Sequence, residues 1–108
     1  MAIDEHLADR VRTVLADAGT TEEKKMFGGL TFMLDGHMCC GVLGDDLIVR
    51  VGAEGQEAAL AEPHVRRFDF TGKPLKGFVT VAPAGCEKAA LARMVGLAVE
   101  FVKSLPPK

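Results

Sequence analysis

Between Ile3 and Ala18 the apolar positions Ile3, Leu7, Val11, Val14, Leu15 and Ala18 recur at spacings of three and four. That period stacks them on one face of a helix and leaves Asp4, Arg10, Arg12 and Asp17 on the others. Gly19 is placed to end the helix in the left-handed conformation, and Thr20-Thr21-Glu22-Glu23 reads as a polar connection. From Met26 onward the period drops to two. Strand-compatible runs flank Asp35-Gly36, a dipeptide that favours a two-residue turn with both central φ angles positive. Gly28-Gly29 opens the first strand, where glycine marks a bulge or a close approach to the backbone.

The turn sets a register. A two-residue loop opposes Leu34 to His37, Met33 to Met38, Phe32 to Cys39 and Thr31 to Cys40, and opposed residues share a face. A second turn at Gly44-Asp45-Asp46 brings in Leu47 to Val51. Met38, Cys40, Val42, Leu47, Val49 and Val51 then form an aliphatic face for helices to cover. Leu30, Phe32, Cys39 and Ile48 form the other, bordered by His37 and Arg50. That second face needs a partner surface or a second copy of the chain, so these residues are the expected interface and a homodimer the expected state.

Gly52 to Glu62 is a short helix stopped by Pro63. His64 to Phe70 alternates weakly as a strand, Thr71 to Gly77 reads as a loop, and Phe78 to Ala82 as a further strand. Residues 87 to 104 form a closing helix with the stripe Leu91, Met94, Val95, Ala98, Phe101, Val102 and Leu105, and residues 105 to 108 are a frayed tail. The order is α-β-β-β-α-β-β-α. Hairpin-linked strands are antiparallel, so the expectation is a single α+β domain over residues 1–108, a two-layer sandwich with an antiparallel sheet of about five strands.

A chain of 108 residues can bury one core without a metal or disulfide staple. Its net charge of −2 supplies no global field toward nucleic acid or an anionic membrane. Three cysteines, two of them adjacent, suit free thiols in a reducing cytoplasm better than a disulfide framework. No basic head with an apolar block opens the chain, and no run approaches the roughly 20 apolar residues of a membrane helix.

Candidate chemistry is sparse. His37-Met38-Cys39-Cys40 looks metal-like, but on a strand only two of those side chains share a side, and a third ligand would have to come from Cys86 or His64. Small apolar packing accounts for the cysteines instead, and neither a metal nor a cofactor is expected. Cys86, just before the last helix, would feel the positive end of the helix dipole, which lowers a thiol pKa; it is the candidate reactive thiol, though no base stands in pattern with it. Arg66, Arg67, Lys73 and Lys76, interleaved with Phe68, Phe70 and Phe78, could hold single-stranded nucleic acid, but a cluster of this size also suits a solvated face over core aromatics.

Lys24-Lys25-Met26-Phe27-Gly28-Gly29, followed at strand spacing by Phe32, Asp35 and Gly36, resembles the N-terminal domain of the TfoX/Sxy family of bacterial competence regulators. The resemblance runs from the first helix to the last. It implies a small α/β domain with an antiparallel sheet in a cytoplasmic bacterial protein. Full-length members resemble this chain only in their first half, since they add a C-terminal helical domain associated with transcriptional control that has no counterpart here. Together these readings point to a non-enzymatic regulatory module acting through protein contacts. The alternatives are a thiol sensor or enzyme using Cys86, or a weak nucleic-acid binder.

Overall fold

A computed structural model describes residues 3–16, 18–26, 29–70, 73–86 and 88–106. The expected amphipathic segment forms α1 (Glu5–Leu15), begun by Asp4, whose carboxylate accepts from the Leu7 N–H at 3.1 Å. Strands β1 (Thr21–Met26), β2 (Gly29–Leu34), β3 (His37–Leu43) and β4 (Asp46–Arg50) follow, then α2 (Gly52–Leu60). The chain continues through β5 (Val65–Phe70), β6 (Lys73–Val81), a 3-10 turn (Pro83–Gly85) and α3 (Lys88–Lys103). All six strands join one antiparallel sheet in the order β1-β2-β3-β4-β6-β5. The fold is α+β as expected, with six strands where about five were read.

The added strand is β1. Thr21-Glu22-Glu23 does not connect; it pairs with Leu34, Met33 and Phe32. A row of exposed charges at a sheet edge discourages pairing with another chain, and it erases the apolar alternation by which a strand is recognised. Arg12 of α1 grips this edge with two bonds to Glu23, at 2.7 and 2.8 Å, and that contact holds the Glu23 carboxyl below its ordinary range. The expected loop over residues 71–77 is likewise mostly strand. β6 begins at Lys73, and its Pro74 is tolerated because this stretch pairs only with β5 while β4 takes up residues 78–81.

A bulge decides which face of the sheet is the core. Leu34↔His37 and Met33↔Met38 pair as the turn dictates, but the next pair is Phe32↔Cys40, followed by Thr31↔Gly41 and Leu30↔Val42. Cys39 is the extra residue. A slip of one position moves a strand's side chains to the other face relative to its neighbour. The expected pairing of Phe32 with Cys39 is therefore corrected, and Phe32 lines up with Cys40, Val49 and Val79. Phe32 is 1% exposed and belongs to the core under the helices, together with Leu34, Val42, Leu47 and both adjacent cysteines. Leu30 packs against the same core. Both residues thus stand on the helix side of the sheet and not on the expected second face.

The middle of the opposite face is buried as well. Ile48, Thr31, Thr80 and Phe68 are all buried. Gly29, Thr31, Met38, Gly41, Ile48 and Phe68 share the lining of a cavity of only about 20 Å³, so β5 arches back toward β2 across the middle of the sheet. Met38, expected under the helices, lies here because the bulge separates it from Cys40.

Candidate functional site

A broad concavity among the described residues lies outside the sheet, between α2 and α3. It starts from a glycine. Gly52 follows β4 by two residues with φ +79°, and a Cβ there would sit 2.4 Å from the edge of the Phe101 ring. Only glycine combines that left-handed turn with that approach, and it brings the start of α2 against α3. The Val51 N–H donates to the Gly77 carbonyl at 2.8 Å, and the Gly77 N–H donates to Gln56 Oε1 at 3.1 Å, which hangs α2 from the middle of β6. Arg50 seals the junction: its guanidinium lies 5.3 Å from the Phe101 centroid and 5.9 Å from that of Phe78, and donates to the Met38 carbonyl at 3.3 Å. Arg50 thus serves as an internal clamp.

Between the helices runs an open groove of about 700 Å³, lined by Ala53, Gly55 and Ala58 from α2 and by Leu97, Phe101 and Ser104 from α3 and the turn after it. Leu97 is 39% exposed, the one large apolar side chain left in solvent among the described residues. Among the described residues the charged groups lining the groove are Glu54 and Glu100, both acidic. Small side chains on one wall, a leucine and a phenylalanine on the other, and an anionic rim make a surface that can take an apolar side chain flanked by a cation. Two signals in the sequence could have located it: the small residues of Gly52-Ala53 and Ala58-Ala59, and the position of Leu97 off the apolar stripe of the last helix.

The residues singled out from sequence are placed elsewhere. His37 Nε2 lies 2.8 Å from the Pro106 carbonyl, so it holds the segment after α3. Asp35, with φ 51°, accepts from the Thr20 N–H at 3.1 Å and from Lys103 Nζ at 3.0 Å. The Lys103 contact, with the Thr20 bond behind it, holds the Asp35 carboxyl below its ordinary range. The Asp35-Gly36 turn is thus a structural tie between the α1–β1 connection and the end of α3. Gly29 is shaped by close approach, as its Cβ would fall 2.3 Å from the Val42 carbonyl oxygen. Phe27, Gly28 and the Met26 side chain lie outside the described residues, and so does the expected bulge at Gly28.

Cys86 does not carry the expected low pKa. It is 4% exposed, its Sγ lies 3.5 Å from the Ala82 carbonyl, and its own carbonyl accepts from Arg10. Burial pushes the thiol above its ordinary value, and the opposing Arg10 charge is the smaller effect. The folded state therefore holds this proton more tightly than the unfolded chain does. Its contribution to stability is fully present below the ordinary thiol pKa of about 8.5 and is lost as pH rises through the folded value. Iodoacetamide at pH 7 is expected to label Cys86 only as fast as the domain opens. The urea midpoint should fall above about pH 8.5, and Cys86→Ala should flatten that fall. Rapid labelling of the native protein would contradict the burial.

Cys39 and Cys40 are both sealed from solvent, in contact side by side, because the bulge turns neighbours that would otherwise alternate into the same core. The contact raises the Cys40 thiol, with burial adding, and lowers that of Cys39, with the Arg50 charge adding. Among the described residues no three His, Cys, Asp or Glu side chains gather as a metal would require. The basic segment is divided: Arg66 opposes Thr80 and Arg67 opposes Val79, so they point to opposite faces, and Arg66 pairs with Asp46 at 2.9 Å. The side chains of Lys73 and Lys76 lie outside the described residues.

No helix among the described residues is long and apolar enough to cross a membrane. Neither a curated protein nor a solved structure matches the chain. The arrangement of helix, β-meander with its Asp-Gly turn, second hairpin and closing helix spans the segment that a family model recognises: the description is the TfoX N-terminal domain and the match covers residues 13–102, so the chain belongs to the TfoX N-terminal domain family.

Proposed function

We propose that this TfoX N-terminal domain is a non-enzymatic protein-interaction module with a regulatory role in the cytoplasm, engaging its partner through the groove between α2 and α3. The observation that carries the reading is that groove, with Leu97 in solvent on its wall and two carboxylates at its rim. An exposed leucine beside small residues is a docking feature, since the area it offers is recovered only when another surface covers it. The other two readings draw less support. Cys86 is buried with a raised pKa, and the two arginines of β5 face apart.

Site-specific photo-crosslinking in the native cell tests the proposal. A benzoylphenylalanine at position 97 is expected to give a discrete crosslinked species that the same probe at exposed position 22, on the charged edge strand, does not give. Equal labelling from both positions, or none from 97, would overturn the groove as the working surface.

A further inference from the structure

Helix α3 carries the counterpart of its own groove. Ala89, Ala92, Arg93, Gly96, Leu97 and Glu100 form one continuous exposed stripe along it. At the centre, a Cβ added to Gly96 would meet no atom within 4 Å, and Leu97 stands beside that open space. Arg93 and Glu100 lie equally far to either side of the point midway between Gly96 and Leu97. A two-fold axis through that point, perpendicular to the helix, would bring Arg93 of each copy against Glu100 of the other, giving two ion pairs around an apolar centre.

The geometry points to a symmetric homodimer, resting on the reading of the groove as an interaction surface, in which α3 packs antiparallel against α3 of a second copy and Leu97 of each enters the other's groove. The occupant is argued from charge. The rim acids Glu54 and Glu100 call for a cation about one helical turn from a large apolar side chain, and Arg93 and Leu97, four residues apart, present that pair. Glu100 has no ion pair among the described residues, so its charge is available. Arg93 contacts Glu62 of its own chain, but the Arg93 side chain is more than half exposed, and an ion pair with so solvated a partner is weak enough to be shared. Gly96 and Ala92 allow the close helix approach that larger residues would prevent.

Sedimentation equilibrium over a concentration series tests this. The wild type should move from the 11.5 kDa mass of one chain toward twice that value. Arg93→Glu and Glu100→Arg should each weaken association about tenfold or more, because each sets like charges across both contacts. A one-to-one mixture of the two variants should associate as the wild type does, since every facing pair is again opposite. Circular dichroism confirms that each variant is folded, and Arg93→Gln with Glu100→Gln replaces the pair if either reversal unfolds. A wild type that stays monomeric, a dimer that neither reversal weakens, or a mixture that does not re-associate would overturn the proposal. A monomer whose position-97 probe crosslinks a different protein would overturn the dimer and leave the groove standing. A monomer with no crosslink would end both.

Discussion

Phe32→Asp is expected to unfold the domain. The ring is sealed beneath the helices, in line across the sheet with Cys40, Val49 and Val79, and the Arg12 guanidinium lies 6.0 Å from its centroid. A carboxylate in that position loses its hydration without gaining a matched partner, a cost of several kcal/mol, against a total stability of roughly 5–15 kcal/mol for a domain of this kind. The milder Phe32→Ala should leave a folded protein weakened by about 3–5 kcal/mol, as large aromatic truncations in packed cores do. Far-UV circular dichroism reads the first outcome and the urea midpoint the second. A soluble, folded Phe32→Asp with an unchanged midpoint would return the ring to the surface and the bulge at Cys39 would have to be abandoned.

Gly29→Ala should be nearly as damaging, for a different reason. The added Cβ meets the Val42 carbonyl oxygen at 2.3 Å and the Leu43 Cα at 3.2 Å. These are backbone atoms of the neighbouring strand, so no rotamer change relieves the overlap and the β2–β3 pairing has to part. Overpacking of this kind costs about 1–3 kcal/mol and sometimes more. Gly44→Ala is the comparison: φ is +60° but nothing lies within 4 Å of its Cβ, so only the left-handed penalty of about 1–2 kcal/mol applies. Denaturation midpoints of the two variants should separate, with Gly29→Ala the lower. Equal midpoints would mean that β3 yields at Val42 more readily than its packing implies.

The functional reading turns on the same distinction between sealed and open surfaces. With Phe32 and Leu30 under the helices, and Ile48 and Phe68 buried on the far side, the middle of both sheet faces is closed. What remains open is the outer layer. There the Gly52 turn positions α2 beside α3, and Leu97 stands in solvent between Arg93 and Glu100. A small two-layer domain that closes the middle of both sheet faces leaves its helices to meet other molecules.

What the sequence determined by itself is what depends on near neighbours. The helix of residues 5–15 follows from apolar spacing and the Asp4 cap, and the register Leu34↔His37 and Met33↔Met38 follows from the Asp35-Gly36 turn. The family motif, the element order and the α+β class are equally local, because each rests on a run of consecutive residues. The tertiary structure decided the rest. Whether β3 carries an extra residue at Cys39 is settled by the gain from burying Phe32 and Leu34 beneath helices distant in the chain, which no local pattern records. Thr21 to Met26 is a strand because β2 offers it a ladder; its charges alone read as a connection. The Cys86 pKa follows burial rather than the nearby helix end, since enclosure by distant elements outweighs the local dipole. The groove exists only once Gly52 has brought two helices together from different parts of the chain.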